Sequence, residues 1–76
     1  MNNTIENILT ELIPGVNASS TSLIDDGYID SITIIQLVSE LDIAFDIEIT
    51  FEAINKDNFN SVEAMAKMVS SYMNNK

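Results

Sequence analysis

Gly27-Tyr28-Ile29-Asp30-Ser31-Ile32 runs into Thr33-Ile34-Ile35-Gln36-Leu37-Val38-Ser39-Glu40-Leu41-Asp42-Ile43-Ala44-Phe45, and this stretch decides how the chain is read. A glycine-bearing turn delivers an Asp-Ser pair to the start of an amphipathic helix that is expected to run from Ser31 to about Phe45. At about 100° per residue, Ile34, Ile35, Leu37, Val38, Leu41, Ala44 and Phe45 share a broad face, which is the expected core side. Asp42 falls near its margin, where the sequence alone gives it no role. Ser31 stands at the positive end of the helix, where backbone N–H groups and the dipole favour a phosphoryl group. No side chain nearby makes it a nucleophile in its own right, so it reads as a serine set out for another enzyme to modify. Taken without context, the same pair reads more simply as a helix cap, since Asp and Ser are both favoured there.

Two further helices flank this one. Ile5, Ile8, Leu9, Leu12 and Ile13 make one apolar stripe. Asn3 with Glu6 resembles a capping box at its start, and Pro14-Gly15 ends it. Val62, Met65, Ala66, Val69, Tyr72 and Met73 make a last stripe, with Ser61 as the expected N-cap and Glu63 in the first turn. The connection over residues 14–30 is long for a loop, which predicts packing or function, with Val16, Leu23, Ile24 and Ile29 as anchors. Residues 46–60 alternate briefly through Ile47 and Ile49 and then offer Phe51, Ile54 and Phe59. A lone strand there has nothing to pair with, so a helix of one or two turns around Phe51–Ile54 is expected. The pattern predicts an all-α single domain over residues 1–76.

Composition narrows the chemistry. Cysteine and histidine are both absent, which removes disulfides, thiolate ligands, the commonest general base and the Ser-His pair together. Self-contained catalysis is not expected. Twelve acidic residues face three lysines (Lys56, Lys67 and Lys76), a formal charge of −9. Such a chain cannot neutralise a run of phosphates, so nucleic acid is excluded as a partner and anionic membranes are disfavoured. The acidic surface suits basic patches on other proteins, although charge also serves solubility alone. No stretch reaches the roughly 20 apolar residues of a membrane span. Met1-Asn2-Asn3-Thr4 lacks the features of a signal peptide, and a cytoplasmic monomer is expected.

Asp25-Asp26-Gly27 invites comparison with a calcium loop. With Gly27 at the sixth position, Ser22, Ile24 and Thr33 would occupy positions that need carboxylates, so an ordinary acidic turn is expected and no intrinsic metal site. Met65, Met68 and Met73 read chiefly as core filling. Ile32, Gln36, Ser39 and Ile43 gather on the middle helix at about 80–140° from Ser31, away from the core face. Two isoleucines on a polar strip beside a helix N-terminus suggest a docking surface, although exposed isoleucines are common.

From Asp30-Ser31-Ile32 onward the chain resembles the acyl carrier protein family. Asp30 through Val38 is followed by Glu40-Leu41 and Phe45-Asp46-Ile47-Glu48-Ile49, and the last helix begins in register at Ser61-Val62. The resemblance implies a four-helix bundle with three main helices and a short third. It implies that Ser31 carries 4′-phosphopantetheine, attached from coenzyme A by a phosphopantetheinyl transferase. It further implies that Asp30 assists loading by helping to place the transferase's magnesium, and that the arm's thiol holds the cargo as a thioester. Ile32, Gln36, Ser39, Glu40 and Ile43 become the expected partner face. The expected partners are the transferase, an acyl- or aminoacyl-activating ligase, and an acyltransferase or synthase.

Thr33 and Gln36 stand where carriers of the fatty-acid type usually have acidic residues. Gly27 to Ser31, Ile35-Gln36-Leu37 and the spacing from Phe51 to Asn60-Ser61 are more similar to D-alanyl carrier and stand-alone peptidyl carrier proteins. Aminoacyl or specialised acyl cargo is therefore expected, with fatty acid synthesis as the alternative. An unmodified acidic interaction module is the alternative of another class.

Overall fold

The computed structural model describes residues 1–74. Helix α1 spans Asn2–Leu12, α2 Ser31–Phe45, α3 Lys56–Phe59 and α4 Val62–Asn74, with a 3₁₀ turn at Phe51–Ala53. The described residues contain no strand. Helix α1 packs on both α2 and α4, α2 also meets α4, and α3 leans on α4. This is the bundle of three long helices and one short one that the sequence predicts.

Ile5, Ile8 and Leu9 bury the inner stripe of α1, while Leu12 and Ile13 pack at its edge. The expected Asn3–Glu6 capping box does not form. The helix starts two residues earlier, with Met1 at the N-cap and no side-chain cap, so Asn3 is already inside the first turn. At the other end, Ile13 takes an extended φ of −130° before Pro14, whose ring disfavours helical geometry in the preceding residue. Gly15 turns the chain at φ +86°.

Helix α2 keeps its expected limits but buries a narrower face. Leu37 and Leu41 are fully buried, and Ile34, Val38 and Phe45 are half-buried. Ile35 is 60 % exposed and Ala44 is also exposed, which corrects the core role predicted for both. The helix packs on α1 and α4 from one side, so side chains at either margin of the apolar arc remain in water. Asp42 acquires a role here. Its carbonyl accepts the N–H groups of Asp46 and Ile47, and its carboxylate accepts the Ile49 N–H at 2.9 Å. Asp46 ends the helix at a left-handed φ of 52°. One residue thus turns the outgoing chain and sets Ile49 into the core.

The long first connection is packed. Leu23 and Ile29 are buried, and Val16, Ile24 and Tyr28 pack against the core. Its acidic turn spends its carboxylates on protein groups: Asp26 accepts from Ser20 Oγ at 3.0 Å, and Asp25 pairs with Lys56 at 2.7 Å. The second connection differs from expectation. Phe51–Ala53 is only a 3₁₀ turn, and the short helix lies further on at Lys56–Phe59, where Asn55 caps it by accepting the Asn58 N–H. Phe59 is fully buried, but Phe51 is 85 % exposed and anchors nothing. Thr50 is held instead by Tyr72, whose hydroxyl accepts the Thr50 N–H.

In α4, Ser61 Oγ accepts the Ala64 N–H, the predicted cap. Val62, Met65, Met68 and Val69 are buried. Core filling therefore describes Met65 and Met68 but not Met73, which is 42 % exposed.

Candidate functional site

Asp30 and Ser31 sit where a packed loop becomes a helix. Upstream, the buried Leu23 and Ile29 pin the loop, and the Leu23 carbonyl accepts the N–H groups of both Tyr28 and Ile29. Gly27 permits the reversal between them with φ +85°, a conformation that side-chain-bearing residues rarely adopt. Downstream, Leu37 and Leu41 hold α2 against the bundle. The pair is therefore fixed from both sides, although each residue is itself exposed.

The two residues divide the work that the sequence left open between them. Asp30 is the N-cap, in extended geometry, with Oδ1 accepting from Ile32 N at 3.1 Å and Thr33 N at 2.8 Å. Ser31 is the first helical residue, and among the described residues its hydroxyl makes no hydrogen bond. Capping accounts for Asp30 and leaves Ser31 Oγ free to react. It also qualifies the anion-site reading of this terminus, because the Asp30 carboxylate already engages two of the N–H groups a phosphate would use.

The Thr33 N–H first and the Thr33 hydroxyl next, with a smaller share from the Ile32 N–H, hold the Asp30 carboxyl below the usual carboxylate range. These donors favour the charged form. A group with a lowered native pKa contributes stability that is complete above its unfolded value, about 3.9 for Asp, and lost as pH falls through the native value. The melting gap between wild type and Asp30→Ala should accordingly be open at pH 7 and narrow below about pH 4. A gap independent of pH down to about pH 2, beyond the titration of ordinary carboxylates, would show that the charged cap contributes nothing.

The expected partner face is exposed throughout: Ile32 at 72 %, Ile43 at 76 %, and Gln36, Ser39 and Glu40 likewise open to solvent. Ile35 joins it from the core margin and was missed because its helical angle lies between the two faces. A cleft of about 500 Å³ lies elsewhere, against α4, lined by Ala53, Asn58, Lys67, Met68, Ser71 and Tyr72. It contains none of the residues of the expected attachment site or partner face.

The family described as "Phosphopantetheine attachment site" matches residues 3–69, nearly the whole chain and all four helices except the first residue of α1 and the end of α4. The chain belongs to this family. No curated protein and no solved structure matches it. Membership makes it a phosphopantetheine-carrying carrier protein, with 4′-phosphopantetheine as its covalent cofactor. Carrier domains of this kind interact with a phosphopantetheinyl transferase and with synthetic enzymes, and in general are substrates of those enzymes without being catalysts. No helix among the described residues is long and apolar enough to cross a membrane.

The serine–helix junction fits the group. An exposed hydroxyl with no competing hydrogen bond, on a backbone fixed from both sides, can enter another enzyme's active site without local unfolding. The arm supplies a thiol to a chain that has no cysteine.

Proposed function

We propose that Ser31 carries the arm and that the chain passes an activated acyl or aminoacyl group between partner enzymes without catalysing any step. The observation that carries this reading is the free, exposed Ser31 hydroxyl beside a capping Asp30, inside a family match that spans residues 3–69. Asp30 keeps a charged carboxylate next to the reacting hydroxyl, suited to helping a divalent cation meet the incoming phosphate. The arm is attached in the cytoplasm, from coenzyme A. Incubation with a phosphopantetheinyl transferase, magnesium and coenzyme A should raise the intact mass by one phosphopantetheine. Protein that stays unmodified beside a carrier that loads under the same conditions would reject the reading and favour an unmodified interaction module.

For cargo we favour an aminoacyl group such as D-alanyl, or a specialised acyl group, activated by a ligase and removed by an acyltransferase or synthase. The support is the similarity of residues 27–31 and 51–61 to carriers of that kind, together with Thr33 and Gln36 where fatty-acid carriers are acidic. Intact-mass analysis of protein from its native host would identify the thioester. A long-chain acyl group there would overturn the assignment.

Partners are expected to grip α2 through Ile32, Ile35, Gln36, Ser39, Glu40 and Ile43. At a net charge of −9, the chain should be steered toward basic surfaces. The double variant Glu40→Gln/Glu48→Gln should slow association with a basic partner about two- to fivefold at low salt and flatten its salt dependence. Its melting temperature should hold or rise slightly as self-repulsion falls. Unchanged association rates across a salt series would dismiss steering by these acids.

A further inference from the structure

Asn60 lies between α3 and α4, far from Ser31 in sequence, and is the hub of a clasp on the serine-bearing loop. Its backbone carbonyl accepts the Leu23 N–H at 2.9 Å, and its side-chain Oδ1 accepts the next N–H, that of Ile24, also at 2.9 Å. Its Nδ2 donates to Asp25 Oδ2 at 3.3 Å, while Asp25 Oδ1 pairs with Lys56 Nζ at 2.7 Å. Three consecutive loop residues are thus held by one asparagine, with Lys56 of α3 gripping the third. No other common side chain of this length offers both the acceptor and the donor that these contacts require.

The clasp reaches Ser31 through Leu23. With its N–H fixed on Asn60, the carbonyl of Leu23 accepts the N–H groups of Tyr28 at 3.0 Å and Ile29 at 3.2 Å. The loop therefore closes on the residue Asn60 holds. Ile29 is only two residues before Ser31, a span of at most about 7 Å of extended chain. Whatever fixes Ile29 fixes the point from which Asp30 and Ser31 depart.

We infer that Asn60, backed by Asp25 and Lys56, is a positioning residue for arm attachment: it holds loop 23–29 in the shape that presents Ser31 to the transferase. The inference rests on the reading of Ser31 as the attachment site. Loosening the clasp should lower the fraction of molecules whose serine loop is competent. Such a loss raises the apparent dissociation constant by the inverse of that fraction and leaves the bound-state chemistry unchanged.

Loading kinetics of the full chain, followed by intact mass with transferase, magnesium and coenzyme A, test this directly. Asn60→Ala keeps the backbone carbonyl but removes the two side-chain hydrogen bonds, to Ile24 and Asp25, that steady the loop on it, and should raise the KM for the carrier about five- to tenfold with kcat nearly unchanged. Amide exchange at Leu23, Ile24 and Ile29 should quicken in the same variant. Ser61→Ala removes the neighbouring cap on Ala64 and destabilises the fold without touching the loop, so it should lower the melting temperature while leaving KM alone. Asn60→Asp keeps the acceptor for Ile24 but sets two carboxylates together, and adding Asp25→Asn should restore the donor–acceptor pair and recover KM. If Asn60→Ala loads with a wild-type KM, or Ser61→Ala shifts KM equally, or the paired swap brings no recovery, Asn60 is merely structural and the inference falls while the carrier reading stands. A wild-type chain that takes no arm overturns both.

Discussion

Ser31→Ala should abolish arm attachment while leaving the bundle as stable as wild type. The structure sharpens the second half of that expectation. The capping hydrogen bonds belong to Asp30, and Ser31 makes none with its hydroxyl, so the substitution removes no cap. Alanine is also the best helix former at an exposed position, and the stability change should stay within about 0.5 kcal/mol of zero. With transferase, magnesium and coenzyme A, wild type should gain the mass of the arm and the variant nothing. Asp30→Asn separates the neighbouring role, because asparagine also caps well but carries no charge. It should melt close to wild type and load more slowly. Equal modification of Ser31→Ala and wild type would overturn the site assignment, as arm chemistry would then reside on another hydroxyl.

Much of this was legible in the sequence because the signals are local. The limits of α2 follow from the Asp-Ser junction and the apolar period, and Ser61 announces the start of α4 by its own side chain. The hydroxyl that caps nothing was less legible. Either Asp30 or Ser31 suits a cap, and only the helix start settles that Asp30 takes both N–H groups. Other features depend on what lies across the fold. Ile35 belongs equally to core and surface by angle, and its exposure is decided by neighbours packing on one side of α2. Asp42 looked misplaced because its partner, the Ile49 N–H, arrives from a turn that the apolar pattern does not describe. Asn60 gives no local signal at all, since its side-chain contacts are with residues 35 and 36 positions earlier. Phe51 and the capping box at Asn3 show the converse failure. A large apolar residue and a favourable spacing each suggested a contact that the chain does not make.

The exposed strip of α2 should separate docking from folding when three matched substitutions are compared. Ile32 and Ile43 are more than two-thirds exposed, whereas Leu41 on the same helix is fully buried. Leu41→Asp places an uncompensated carboxylate in the core, a change in the class that exceeds about 4 kcal/mol. A chain of this size has only about 4–11 kcal/mol of total stability, so this variant should be largely unfolded or melt far below wild type. Ile32→Asp puts an acid in the first turn, where the helix dipole welcomes it, and should not lower the melting temperature. Ile43→Asp lies near the C-terminal end and should cost no more than about 1 kcal/mol. Their effects belong to partners. Burying an isoleucine at an interface is worth roughly 1.5–3 kcal/mol, so each variant should weaken engagement about tenfold to a hundredfold where its side chain is gripped. Ile32 adjoins the serine and should impair loading and transfer alike. Ile43 is just over three helical turns further along, which confines its effect to partners whose footprint covers the length of α2. Thermal melts set beside loading and transfer rates provide the comparison. If the strip variants unfold as Leu41→Asp does, α2 is turned the wrong way on the bundle. If they melt normally and every partner still handles them at wild-type rates, the isoleucines are exposed for no binding purpose and the docking face lies elsewhere.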